Sequence, residues 1–387
     1  MSRRVLPPLS LYVHLPWCVR KCPYCDFNSH QRPAVLPDAD YTRALLADLD
    51  QDLTQAQGRP IESIFFGGGT PSLFSAAAIA AILDGVRARL PLAEACEITL
   101  ETNPGTAEFD RFEGYLAAGV NRLSFGVQSF DDSMLTRLGR IHDGTQAVRA
   151  YRLARAAGVD NINLDLMYGL PTQTPAGALA DLQQALSLAP EHLSHYQLTL
   201  EPQTVFARYP PQDLPDEDAL EQILELCQKR LATAGFEQYE VSAYARPGRR
   251  SRHNLNYWQY GDYLGIGAGA HAKWTDGEGR IHRQAKQRTP TLYLQIAGTP
   301  ASLIDARSID PSELPFEFML NALRLREGFD DSDFVARTGL DLAGQAGYQR
   351  ALAEGLIEQR SGTSRASELG YRYLNDTLTR FLPAPAR

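Results

Sequence analysis

Residues 9–27 read LSLYVHLPWCVRKCPYCDF, and the rest of the chain is read outward from this stretch. Leu9–Pro16 is a short apolar run of strand type, closed by proline. Cys18, Cys22 and Cys25 follow at once in C-x3-C-x2-C spacing. Three thiolates this close can grip one metal cluster, and a four-iron cubane held by three cysteines keeps one iron without a protein ligand. A structural zinc site wants four ligands, which His14 or His30 would have to complete. Cys96 is a poor fourth, because it opens a later strand whose far end carries Glu101; at roughly 3.3 Å per residue it lies tens of Å from that strand's opposite mouth. Cys96 and Cys227 read instead as buried small hydrophobes.

Five further strand-like runs end in turn signals: Ile61–Gly67, Glu97–Asn103, Arg122–Ser129, Asn161–Gly169 and His192–Leu200. Helix-period segments separate them. Tyr41, Leu45 and Leu49 recur at four-residue spacing after Asp40, an expected N-cap. Leu179, Leu182 and Leu186 share a face behind Thr174 as cap and Pro175 at the first helical position. Asp143–Ala157 puts Ala147, Tyr151 and Ala154 on one face. Strands alternating with helices predict an α/β fold with a parallel sheet, curled by right-handed crossovers into a partial (β/α)6 barrel. Active sites of such barrels lie at the C-terminal ends of the strands, where Thr70, Glu101, Asn103, Gln128 and Asp165 fall.

The predicted boundaries are a barrel over 1–245, a connecting segment over 246–310 and a smaller, mainly helical domain over 311–387. The last contains a hairpin within Gly355–Tyr371. Its helix–turn–helix look invites a winged-helix label, but a net charge of −8 argues against nucleic-acid binding; a lid over the barrel mouth is the expected role. No run approaches the roughly 18 apolar residues of a membrane span, and no signal-peptide core follows the two N-terminal arginines. A cytoplasmic protein is expected, with at most peripheral membrane contact. Three clustered cysteines in a reducing compartment suit a metal site better than disulfides.

Several of the strand ends carry candidate ligand groups. Gly67-Gly68-Gly69-Thr70-Pro71 closes the second strand, where glycines let the backbone approach a ligand and expose N–H groups to it. Glu101 in LETNP can pair with an ammonium or a ribose hydroxyl. Arg140 in LGRIHD can hold a carboxylate with its two-pronged fork, and Asp165 in NLDLMYG can take ribose hydroxyls. The cysteine spacing, its place after the first strand and GGGTP together resemble the radical S-adenosylmethionine (SAM) superfamily over about residues 9–245. LYVHLPWC, FFGGGTP, LETNP, GVQSF, LGRIHD and LDLMYGLP resemble its oxygen-independent coproporphyrinogen III dehydrogenase (HemN) group. That resemblance implies a 4Fe-4S cluster on Cys18, Cys22 and Cys25, and SAM contacts at Tyr12, Gly68, Gly69, Thr70, Glu101, Gln128, Arg140 and Asp165, with Tyr24 near the adenine.

The group has two branches. The dehydrogenases carry a further cysteine two positions after the third, where this chain has Phe27, and a longer segment before the first strand. The HemW heme chaperones share the C-x3-C-x2-C-x-F pattern and a later HN-x-x-Y-W motif, here His253-Asn254-Leu255-Asn256-Tyr257-Trp258. The resemblance to this branch implies heme as cargo, hemoprotein recipients such as respiratory-chain subunits, and an electron or heme donor protein. Imidazole can ligate heme iron, and Tyr257 and Trp258 offer flat apolar surface with polar tips. Arg249, Arg250 and Arg252 are candidates for the propionates, since guanidinium matches carboxylate. The alternative reading is oxidative decarboxylation of coproporphyrinogen III.

Overall fold

The structure, a computed structural model, describes residues 6–106 and 110–383. Strand β1 (Leu9–Leu15) alternates as its sequence asks. Leu9, Leu11, Val13 and Leu15 are fully buried in the main core, so Ser10, Tyr12 and His14 project to the other face. Five strands continue in parallel from it: β2 (Ile61–Gly68), β3 (Leu92–Thr102), β4 (Arg122–Gln128), β5 (Ile162–Tyr168) and β6 (His192–Gln197). The six match the predicted runs, with one difference: β3 begins at Leu92 rather than Glu97, so Cys96 lies inside the strand, buried, and does not open it.

The caps divide. Thr174 accepts from Gly177 N at the head of the helix Pro175–Ser187, and Asp143 with Gln146 forms a reciprocal capping box on Gly144–Ala156. Asp40 does not cap. Its helix starts earlier, at Asp38 after Pro37, so Asp40 sits inside the first turn, where its charge suits the helix dipole and pairs with Arg43.

After β6 the chain adds β7 (Glu237–Glu240) and β8 (Ala243–Ala245) antiparallel on one edge. The 246–310 segment then supplies four strands on the other side: β9 (Asp262–Ile266), β10 (His271–Thr275), β11 (Ile281–Lys286) and β12 (Leu303–Ser308). β9 runs parallel beside β1, and β10 to β12 follow antiparallel. One twelve-stranded sheet results, ordered β12-β11-β10-β9-β1-β2-β3-β4-β5-β6-β8-β7. The connecting segment is thus largely sheet; its glycine-rich, aromatic sequence hid the period-two signal.

The C-terminal part has a core of its own around Phe318, Met319, Phe334 and Tyr348. A three-stranded sheet of β13 (Phe329–Asp330), β14 (Ile357–Arg360) and β15 (Thr363–Ala366) accompanies its helices, and β14–β15 is the expected hairpin. Its position corrects the lid expectation. Arg326 N donates to Tyr239 O, Arg324 pairs with Glu240, and Phe318 packs on Tyr260, which precedes β9. Tyr239 in turn bonds His192, the first residue of β6. These contacts lie at the N-terminal ends of the strands, so the domain closes the bottom of the barrel and not its mouth. Arg324 and Arg326 find their carboxylate and carbonyl partners there.

The added strands are joined to the helix Asp38–Ala56 through a buried ionic group. Lys286 Nζ lies 2.5 Å from Asp48 and 2.8 Å from Asp52, and all three side chains are essentially inaccessible. Tyr293 Oη donates to the second Asp48 oxygen, Gln55 Nε2 to the second Asp52 oxygen, and Gln284 Nε2 shares Asp52 Oδ2 with Lys286. Removing one member of such a group strands the others without compensation. Lys286→Met is expected to lower unfolding stability by about 3–5 kcal/mol, and adding Asp48→Asn and Asp52→Asn to restore a large part of it. Urea midpoints of the full chain check both.

Candidate cluster and cofactor site

The cysteine loop is pinned at both ends. Trp17 and Cys18 pair in parallel with His30 and Gln31, and Asn28 Nδ2 donates to Ala268 O (2.9 Å) and Arg288 O (2.8 Å). Gly269, at φ +85°, makes that clamp possible, because a Cβ there would stand 2.3 Å from the Asn28 amide. Cys18, Cys22 and Cys25 then line one side of a cavity of about 310 Å³. Gly68, Glu101, Gln128, Asp165 and Tyr196 reach it from β2 to β6. Residues from every strand of β2 to β6, together with the loop after β1, meet at one cavity only if the sheet curls, so the sheet is an incomplete barrel with its site at the C-terminal ends.

The three thiols fit a cluster. They are reduced and each meets a polar partner: Thr70 Oγ1 donates to Cys18 Sγ at 3.4 Å, Arg140 Nη1 to Cys22 Sγ at 3.5 Å, and Ser29 Oγ lies 3.6 Å from Cys25 Sγ. Hydrogen bonds to the sulfurs are among the groups that tune iron–sulfur sites. Burial pushes the Cys18 thiol up to about 11 and raises Cys25, so iron binding must supply the charge that draws off those protons.

The GGGTP loop differs from its expected use. Gly69 N donates to Leu15 O and Thr70 N to Trp17 O, both at 2.8 Å, and the Gly68 N–H serves the Glu101 carboxyl. These N–H groups are therefore engaged by the chain and not presented to a ligand. The glycines are required for contact instead. A Cβ at Gly68, where φ is +105°, would stand 2.4 Å from the His14 ring, and one at Gly69 2.6 Å from Trp17 O.

Around the rest of the cavity, Glu101, Asp165 and Arg140 form no direct ion pair among the described residues, and only the more distant Arg122 charge draws on Asp165. Burial, then the neighbouring Asp165 charge, raises the Glu101 carboxyl to about 8, against the Gly68 N–H. Burial also raises Asp165, opposed by hydrogen bonds from Ser194, Asn163 and Ser124; Asn163 Nδ2 lies 2.7 Å from it. Arg140 Nη2 donates to Gly126 O at 2.6 Å, while its Nε is buried without a partner. A ligand combining a cation, vicinal hydroxyls and a carboxylate satisfies all three, and SAM is such a ligand. Gln128 holds a left-handed φ of +71°, and its Oε1 accepts from Tyr196 Oη at 2.7 Å. Tyr24 lines the cavity, its ring near Phe206. Tyr196, Ser194 and Ser124 went unread in the sequence; alternation along Ser194 and Tyr196 in β6 was the available signal.

Tyr12 does not line this cavity, although the Glu101 charge at its edge reaches the Tyr12 hydroxyl. His14 lies beside it, its Nδ1 accepting from Tyr12 Oη (3.0 Å) and its Nε2 donating to Asn28 O (3.0 Å), and Tyr12 opens into a neighbouring cleft. The HN-x-x-Y-W motif forms a short helix, Arg252–Trp258, whose first N–H groups meet Glu97 at the base of β3. His253 is 3% exposed, stacked on Phe65 at 4.5 Å, and burial lowers it to about 3. Trp258 turns to the C-terminal domain beneath Arg324. Arg250 is held by Glu327 and Arg252 donates to Ala95 O. Arg252 is exposed and Arg250 half-buried, but both are engaged by the chain, His253 is sealed in the barrel floor, and Tyr257 lines a cleft.

Fold and site together define a radical SAM protein. The description "Radical SAM superfamily" matches residues 12–185 and "HemN C-terminal domain" matches 309–373. The heme chaperone HemW of Escherichia coli K12 is 52% identical over 97% of this chain and 99% of its own length. That of Haemophilus influenzae is 47% identical over 97% and 98%. The solved Escherichia coli coproporphyrinogen III oxidase HemN, a radical SAM enzyme, superposes with a TM-score of 0.82 at 24% identity, covering 98% of this chain and 91% of that one, and so shares the fold. The chain belongs to the HemW heme chaperone family.

The raised carboxyl of Glu101 makes a pH test. A cationic ligand binds its charged form, so SAM is expected to bind more tightly as pH rises from 7 to 9. Glu101→Gln flattens that dependence and weakens SAM by roughly tenfold. Equilibrium dialysis of reconstituted protein across that range is the measurement.

Proposed function

We propose that this chain binds heme and passes it to hemoproteins, with a SAM-liganded 4Fe-4S cluster seated at the barrel mouth. The observation that carries this is the joint one of near-full-length likeness to heme chaperones and a three-cysteine cavity in which Phe27 occupies the position of a fourth cysteine. Cys18, Cys22 and Cys25 hold the cluster; Arg140, Glu101 and Asp165 orient SAM, and Thr70 supports Cys18. When bound, the cluster supplies one-electron chemistry.

Heme is the cargo and respiratory-chain hemoproteins the recipients, met in the cytoplasm or at a membrane surface. Among the described residues no helix is long and apolar enough to cross a membrane. The exposed Val205 and Tyr209 lie on the segment hydrogen-bonded to Pro23 of the cysteine loop, which suits a recipient or donor approaching the mouth. Of the motif residues, Tyr257 contacts cargo directly. His253 meets it only after leaving its stack on Phe65, and Trp258 supports the floor.

Anaerobically reconstituted protein is expected to hold about four irons, to develop a Soret band with hemin, and to leave coproporphyrinogen III unconverted. Cys22→Ala should lose the iron. Decarboxylated product without a stable hemin complex would overturn the proposal.

A further inference from the structure

A second cleft, of about 410 Å³, adjoins the cluster cavity. Its volume is in the range of small-molecule sites. Tyr12, Tyr257 and Tyr263 line it, Tyr257 and Tyr263 meeting edge to face at 4.6 Å. Phe27, 59% exposed, lines both this cleft and the cluster cavity. His271 and Arg288 complete the lining from the start of β10 and the turn after β11; both are exposed. Neither makes an ion pair among the described residues.

This combination has a chemical meaning. Four aromatic rings favour a flat apolar ligand. A neutral imidazole is a ligand for iron; His271 opens to solvent on one side, and its partial burial together with the Arg283 and Arg288 charges lowers it. Arg288 is the one guanidinium in the lining, and Asp26 the one carboxylate, so an anionic edge belongs at Arg288. His253, by contrast, is sealed in the floor.

We propose that this cleft is the heme-docking site, with His271 as the axial ligand and Arg288 gripping a propionate. The inference rests on the heme-carrying reading above and assigns that reading a place on the chain. One wall is the cysteine loop itself at Asp26–Asn28, clamped by Asn28 to Ala268 and Arg288, so cargo and cluster share a partition.

The test is a hemin titration of the full, cluster-loaded chain, followed in the Soret and visible bands. Each variant's thermal midpoint serves as the check on folding. His271→Ala is expected to shift the ligation-sensitive bands and to weaken hemin by about tenfold or more, while His282→Ala, a surface histidine paired with Asp276, does neither. Arg288→Glu is expected to weaken hemin about tenfold but to leave hemin dimethyl ester, which lacks the carboxylates, nearly unaffected. Unchanged bands in His271→Ala, or their loss in His253→Ala alone, would overturn this placement while the heme-carrying reading stands. Failure of the parent chain to take up hemin at all defeats that reading instead.

Discussion

The parallel hydrogen bonding between β1 and β9 is the constraint on which both cavities depend. It sets Leu9 opposite Asp262 and Val13 opposite Ile266, and so brings a segment more than 200 residues downstream beside the cysteine loop. From that pairing follow the 267–269 turn that receives Asn28, the β9–β10 wall of the second cleft, and the helix Arg252–Trp258 that enters the barrel from below. Asp262 anchors the start of the register. It is fully buried and meets Lys273 Nζ at 2.9 Å and Arg59 Nη1 at 2.7 Å, and these cations hold its carboxyl below the usual range against the pull of burial. A charge withdrawn from water in this way is tolerable only where its partners are in place, which makes it a demanding specification of the alignment.

The cluster cavity works on the opposite principle. Glu101 and Asp165 are withdrawn from water and raised by burial, with no direct ion pair among the described residues, and Arg140 keeps an unpartnered Nε. Each is costly alone, and each matches a different part of one zwitterionic, sulfonium-bearing molecule. The chain thus carries two electrostatic arrangements in one barrel: closed ionic groups where strands must stay aligned, open ones where a ligand must enter.

The sequence was informative wherever a chemical need falls at a strand end. The cysteine triplet, Glu101, Gln128, Arg140 and Asp165 all converge as read, because a parallel sheet delivers successive strand ends to one rim. Local capping was legible at Thr174, where a side chain competes with few alternatives, and misread at Asp40, where Pro37 starts the helix a turn sooner. What stayed hidden depends on distant partners. Nothing local to Gly68 and Gly69 reveals that their N–H groups are taken by Glu101 and Leu15. The aromatic, glycine-rich stretch after residue 253 obscured β9 and β10, and the side of the barrel to which the C-terminal domain attaches is decided by contacts such as Arg326 to Tyr239.

His14 is fixed from three sides. Its ring packs against Gly68 on the cofactor side, holds Tyr12 on the other through Nδ1, and reaches the cysteine loop through Nε2. Burial keeps it neutral, at about 4, so with both nitrogens occupied its tautomer is dictated: Nε2 carries the proton toward the Asn28 carbonyl and Nδ1 receives the Tyr12 hydroxyl. A displacement of the glycine loop cannot be absorbed by protonation or by rotation of this ring without breaking a bond on one side or the other. The His14 imidazole thus joins the glycine loop, the cysteine loop and Tyr12 in one fixed hydrogen-bonded and packed group.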